Sequence, residues 1–269
     1  MNSAAGVLSI AHVYPTVLGL YGDRGNALIL ERRAAARGIN VELLSCGPDQ
    51  PIPKDCDIYV IGGGEDAAQA TATELLRADG GLASAVNRGA VVLAVCAGLQ
   101  LLGIEFGAHG VRTAGLGLVD VVSTTGDVRA VGEVLTDSAE LPLPMLSGFE
   151  NHLGRTVLGT GVAPFGRVLL GTGNGTSGAS GPTSSPADRF DFDGFVAGRV
   201  VGTYMHGPVL ARNPCFADLL LHWATGLDLA DIDDHAADAL RAERIAVGRA
   251  SMSTRRRSSA SGWSHRRAA

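Results

Sequence analysis

The chain has 269 residues, 46% apolar and 18% charged, with a net charge of −5 and an isoelectric point near 5.8. That is enough apolar material for one large α/β domain, and the negative balance excludes nucleic-acid binding driven by overall positive charge. No apolar run reaches the ~18 residues of a membrane span, and the start "MNSAAGVLSIAHVYP" lacks the basic segment of a secretory signal.

"VLSIAHVYP" (7–15) predicts a first strand. "GDRGNALILERRAAARG" (22–38) predicts a helix, with Asp23 and Asn26 placed to cap it and Gly38 to stop it. "NVELLSC" (40–46) and "DIYVIGGG" (57–64) are two more strands, the second ending in three glycines. Residues 65–88 have helical character with a break at Gly80-Gly81. "AVVLAV" (90–95) is the continuous apolar run of a strand buried on both faces. This alternation implies right-handed crossovers and a doubly wound, open, mostly parallel sheet.

Beyond Gly103 the pattern is richer in strands: "GLVDVVSTT", "AVGEVLTD", "LPMLSGFEN" and "GRVLLGTG". Residues 171–188, all but free of apolar side chains, read as a long loop. Strand character returns in "GFVAGRVVGTYMHGPVL" (194–210), followed by helices over 214–226 and 229–250. One domain over 1–250 and a disordered Ser/Arg-rich tail over 251–269 are expected.

Three features carry chemistry. The first is Cys96, at the end of the buried run, in the frame Ala94-Val95-Cys96-Ala97-Gly98. Small residues two before and two after a nucleophile permit the tight strand-to-helix elbow that exposes it. The helix that follows points its N-terminus at the sulfur and favours thiolate. A buried structural cysteine is the competing reading. The other cysteines, Cys46, Cys56 and Cys215, complete an irregular set without C-x-x-C. Reduced cytoplasmic thiols fit that set better than disulfides or a zinc site.

The second feature is a base. Of His12, His109, His152, His206, His222, His235 and His265, only His206 closes a strand-like segment and precedes Gly-Pro. Ligands of open α/β sheets bind beyond the carboxyl ends of the strands, where Cys96 and His206 both fall. The third feature is "IGGGED" (61–66), whose glycines allow close approach of backbone to ligand. An N–H of Gly63 or Gly64, with that of Ala97, suits an oxyanion hole.

Strand–Gly-Gly-Gly, "AVCAGLQLLG" and "GTYMHGP" together resemble the class I glutamine amidotransferases of the cobyric-acid-synthase-type branch. "YPTVLGLYGDRGNALIL" (14–30), "GFENHLGRT" (148–156) and "YMHGPVLARNP" (204–214) are similar to the GatD-type glutaminase subunits within it. The resemblance implies that Cys96 attacks the side-chain amide of L-glutamine and that His206 moves the protons. It implies Gly63 and Ala97 at the oxyanion and Gln100 on the substrate. It also makes Arg129 a candidate for the substrate α-carboxylate. "LYGDRGN" and "GFENH" then line the glutamine site or a partner contact, with capping the favoured local role of Asp23 and Asn26. No acid follows His206 at the position where many relatives of this class carry Glu, so the third member of a triad is not named by the sequence.

The resemblance further implies a cytoplasmic protein without a cofactor of its own. ATP and magnesium belong to a Mur-ligase-like partner, MurT, which uses the ammonia on membrane-bound lipid II. Its alternatives are an amidotransferase subunit for another acceptor such as cobyrinate, a stand-alone cysteine hydrolase of the DJ-1/PfpI-like kind, and a binding module that kept the fold.

Overall fold

The computed structural model describes residues 6–19, 22–108, 110–138, 140–175 and 191–264, with side chains to residue 250. The expected loop over 171–188 therefore lies outside the described residues from 176 onward, as do His109, His265 and part of "LYGDRGN".

The apolar runs of the first hundred residues form parallel strands: β1 (Leu8–Val13), β2 (Val41–Cys46), β3 (Ile58–Ile61) and β4 (Val91–Val95). α1 (Arg24–Ala35) joins β1 to β2, and α2 (Asp66–Asp79) with α3 (Gly81–Arg88) joins β3 to β4. Gly80, in the left-handed conformation at φ 70°, makes the break between these two helices. Every residue of β3 and β4 is fully buried. Burying one such Val, Leu or Ile side chain stabilises by roughly 1.5–3 kcal/mol, which is why these runs carry no polar alternation.

After β4 and the short α4 (Ala97–Leu102) the chain leaves this sheet and builds a second one. β5 (Glu105–Ala108) and β6 (Val111–Ala114) form a hairpin. "GLVDVVSTT" and "AVGEVLTD" are not two strands but one, β7 (Val121–Ser138). Its partner β8 (Leu146–Leu158) pairs antiparallel with both halves, and the register shifts between Thr125 and Ala130. The Gly126–Asp127 pair that reads as a turn is a bulge, which bends a strand without ending its ladder. β9 (Gly166–Leu170) and β10 (Phe192–Asp193) complete this sheet in the order β10-β9-β7-β5-β6.

The chain then returns to the first sheet. β11 (Phe195–Ala197) turns at Gly198 into β12 (Val200–Thr203), which pairs parallel with β4. The final order is β11-β12-β4-β3-β1-β2, parallel throughout except for β11. The carboxyl ends of β1, β3, β4 and β12 thus share one edge.

α5 (Val209–Arg212), α6 (Pro214–Thr225) and α7 (His235–Ser264) finish the chain. α7 starts later than the sequence predicts because residues 230–234 are used elsewhere. The Arg33 guanidinium on α1 binds Asp218 of α6 at 2.6 and 2.7 Å and Asp234 at 2.8 Å. Arg37 donates to the Ala230 carbonyl at 2.6 Å. α7 also continues through the Ser/Arg-rich stretch to Ser264, so the boundary placed at residue 250 is not an element boundary.

Candidate active site

Cys96 closes β4 at φ 53° and ψ −106°. A non-glycine residue at positive φ is strained and persists only where its surroundings fix it. The Cys96 N–H donates to the Thr203 carbonyl at 2.9 Å, and its carbonyl accepts from Gln100 N–H at 3.1 Å. Gly98 passes under the end of β3, where a Cβ would come within 2.8 Å of the Ile61 carbonyl. The elbow that the small residues predict is present.

His206 lies just past β12 and is fully buried. β8 braces its backbone: its N–H donates to the Phe149 carbonyl at 2.8 Å. Asp193 fixes the preceding turn by accepting the Thr203 hydroxyl and the Tyr204 N–H, and burial pushes its carboxyl up to about 7. On one side the His206 ring and the Cys96 side chain both pack over Gly63, and the thiol raises the affinity of the ring for its proton. On the other, Nδ1 meets Asp23 Oδ1 at 3.2 Å. Asp23 Oδ2 accepts the Gly63 N–H at 2.7 Å. The result is a buried line Cys96–His206–Asp23, held by the end of β4, the segment just past β12 and the start of α1.

This corrects the capping role expected for Asp23 and Asn26. Asp23 occupies the cap position of α1 but makes no side-chain cap bond. Asn26 Oδ1 instead accepts the Leu210 N–H at 3.1 Å. Gly25 faces the Pro208 ring too closely to carry a Cβ. Asp23–His206, Gly25–Pro208 and Asn26–Leu210 therefore lace "DRGN" to "HGPVL". The missing acid was in a quoted motif all along, but at a position where Asp ordinarily caps.

Gly63 is also reassigned. Its N–H is committed to Asp23, and it does not line the cleft in front of Cys96. Gly64 and Ala97 do line it. Gly63 is instead a spacer: a Cβ there would lie 2.7 Å from His206 Cε1 and 3.4 Å from Cys96 Cβ.

The cleft runs between the two sheets. Gln69, Cys96, Ala97 and Gln100 form one wall, and Arg129, Asn151 and His152 form the other. Arg129 stands on the bulge of β7 and donates to Asn151 Oδ1 at 2.9 Å, which aims it along the cleft. Gln100 is held at both ends of its amide. Its Oε1 accepts from Gln69 at 3.1 Å and its Nε2 donates to the Tyr204 hydroxyl at 3.0 Å. Cys96, Gln100, Arg129 and His206 are thus brought together as the sequence predicts, and Gln69 joins them unannounced.

Burial pulls the His206 imidazolium down, but the hydrogen bond to Asp23 and the charges of Asp23 and Cys96 raise it to about 10. The ring therefore keeps its proton at neutral pH beside the Asp23 carboxylate. The other cysteines differ. Burial pushes Cys46 up to about 11 and raises Cys56 and Cys215 as well. Among the described residues, a histidine, His206, bears on Cys96, whereas none is a cause of the shifts at Cys46, Cys56 and Cys215.

Comparison with known proteins agrees with this site. Residues 9–214 match the model of the CobB/CobQ-like glutamine amidotransferase domain. The chain is 33% identical over 251 residues to the lipid II isoglutaminyl synthase (glutamine-hydrolyzing) subunit GatD of Staphylococcus aureus, covering 90% of this chain and 96% of that one. It is 33% identical over 212 residues to the subunit of the same name from Streptococcus pneumoniae, covering 77% and 76% of the two chains. A crystal structure of a glutamine amidotransferase superposes with a TM-score of 0.52 at 19% identity, over 82% of this chain and all of that one, and so shares the fold. With its nucleophile elbow, its histidine and a match spanning both sheets, the chain belongs to the CobB/CobQ-like glutamine amidotransferase family.

Proposed function

We propose that this chain is the glutaminase subunit of a two-chain enzyme that amidates a peptidoglycan precursor. It hydrolyses L-glutamine to glutamate and ammonia through a thioester on Cys96. The observation that carries this reading is the Cys96–His206–Asp23 line opening on a cleft walled by Gln100 and Arg129. The identity to GatD subunits supports the choice of acceptor. A Mur-ligase-like partner of the MurT type, carrying ATP and magnesium in the cytoplasm, would receive the ammonia. It would convert the D-glutamate α-carboxylate of lipid II to D-isoglutamine.

The steps follow from the geometry. The Cys96 thiolate attacks the side-chain amide carbon of glutamine. The N–H groups of Gly64 and Ala97 receive the oxyanion. His206 donates its proton to the amide nitrogen as the C–N bond breaks and ammonia leaves. A water molecule then gives His206 a proton and attacks the γ-glutamyl thioester, releasing glutamate and restoring the thiolate. Asp23 holds Nδ1 of the ring so that Nε2 faces sulfur and substrate in turn.

Arg129 binds the α-carboxylate. Arg129→Met is expected to raise KM for glutamine roughly 10- to 100-fold, the loss of a charged hydrogen-bonded pair. Arg129→Lys should recover part of it. Unchanged KM in both variants would remove Arg129 from the substrate site.

The experiment for the whole reading is glutamate release from glutamine by the chain alone and with a co-expressed Mur-ligase-like partner, followed by analysis of the amidated acceptor. Release that rises with the partner, and amidated lipid II, support the proposal. Amidated cobyrinate instead would move the chain to the other acceptor, in line with its 34% identity to a cobyric acid synthase of Sphingopyxis alaskensis over 67% of this chain. No release in either setting from folded protein would sink the glutaminase reading.

A further inference from the structure

"GFENH" is only partly explained by the steps above. Phe149 braces His206 and Asn151 aims Arg129, but Glu150 and His152 have no role there. Both are buried, a combination that is costly unless every polar atom is paired. They are paired thoroughly. Glu150 accepts the N–H groups of Thr172 and Gly173 at 2.8 and 2.9 Å. His152 sits with Nε2 3.3 Å from the Glu150 carboxylate and Nδ1 3.1 Å from the Gly154 carbonyl, and its tautomer decides which of these two acceptors receives the ring N–H. These contacts fix both the position and the rotation of the imidazole ring.

The fixed ring is stacked on Tyr204, with centroids 3.8 Å apart and planes 16° apart. Tyr204 is fully buried, and burial raises its hydroxyl further above neutral pH, so it stays protonated. That hydroxyl holds Gln100 Nε2 at 3.0 Å and Thr156 Oγ1 at 2.7 Å. Gly154 gives the arrangement its tightness: a Cβ there would strike the Gln100 amide and lie 2.5 Å from the Tyr204 hydroxyl. A continuous path thus runs from Glu150 through His152 and Tyr204 to the side chain of Gln100.

We propose that His152, locked by Glu150, is a positioning residue that sets Tyr204 and through it the amide of Gln100 for glutamine binding. The proposal rests on the glutaminase reading. Gln69 holds one end of the Gln100 amide from α2, and Tyr204 holds the other from beyond β12. The path from His152 ends on the Gln100 amide, so its effect falls on substrate affinity rather than on the reactivity of Cys96.

The test is a double-mutant cycle on the full chain with Tyr204→Phe and His152→Ala, plus His152→Phe, which keeps a ring on Tyr204. Glutamine KM is measured alongside the rate of Cys96 alkylation by iodoacetamide, which needs no glutamine site. Tyr204→Phe and His152→Ala should each raise KM about tenfold, the loss of one buried hydrogen bond. Their double variant should be no worse than the more severe single one, and His152→Phe should be intermediate. Iodoacetamide should react within about twofold of wild type throughout. Additive effects on KM, unchanged KM, or a parallel fall in alkylation would overturn the proposal. If His152→Ala fails to fold, the cycle is run with His152→Phe. A wild type that is alkylated by iodoacetamide but neither hydrolyses glutamine nor reacts with a glutamine-analogue electrophile would overturn the glutaminase reading itself.

Discussion

Cys96→Ala is expected to abolish glutamate release, by at least about 10⁴-fold, while leaving a folded protein. The proposed thioester needs the sulfur, and residual catalysis by oxyanion donors and binding alone is small. The fold should survive because the backbone at Cys96 is held by Thr203 and Gln100 rather than by its side chain. Alanine enters the same positive-φ geometry without added bulk. Mass spectrometry after treatment with a glutamine-analogue electrophile supplies the matching result. The label should appear on Cys96 and spare Cys46, Cys56 and Cys215, whose thiols burial holds in the neutral form. Glutamate release that persists in a folded Cys96→Ala protein would refute the mechanism at its first step.

Asp23→Asn should be the second largest effect. The side chain keeps its shape and can still accept the Gly63 N–H, but it no longer offers a carboxylate to Nδ1. A fall in kcat/KM of about 10²-fold is expected, close to 3 kcal/mol of barrier. A cysteine sulfur is intrinsically more nucleophilic than a serine hydroxyl and needs less help, so the loss should be milder than in serine triads. The variant also carries a pH signature. His206 sits at about 10 against an ordinary value near 6.5. A raised imidazolium contributes stability that is fully present below pH 6.5 and is lost as pH rises through 10. Wild type should therefore lose stability across that window, by an amount on the order of a few kcal/mol. Asp23→Asn should be less stable at low pH and show a flatter profile. Thermal melts between pH 6 and 10 read this directly. Activity within threefold of wild type and a superimposable pH profile would reduce the site to a Cys–His pair with Asp23 as scaffold.

What could be seen from the sequence was what short stretches decide. Cys96 announces itself because the elbow is a five-residue matter, and the buried runs of β3 and β4 because their apolar content leaves no other reading. His206 stands out through the Gly-Pro that ends its strand. Asp23 does not, because its partner is 183 residues away and the local role of Asp before a helix is to cap it. Gly63 and Gly64 cannot be told apart inside a run of three glycines, since the choice depends on which N–H the distant Asp23 takes. β7 looked like two strands because a bulge and a turn use the same residues, and only the partner strand β8 decides between them. Gln69 and Tyr204 were invisible for a similar reason: each matters through a single hydrogen bond to Gln100 from another element.

The placement of Gly63, Cys96 and His206 beyond three strand ends, with Asp23 at the start of α1, has a consequence for how this molecule acquires its chemistry. β12 reaches its place beside β4 only after the whole second sheet has been spun out between them. Its pairing closes the largest loop in the first sheet, a step whose entropy cost is met late and whose slowness grows with sequence separation. A chain that has collapsed around β1 to β4 would already contain Cys96 and Asp23, but neither the Thr203 carbonyl that holds the Cys96 backbone nor the His206 imidazole. Recovery of turnover during refolding thus marks completion of the sheet rather than its beginning, and truncation anywhere before β12 yields an inert thiol.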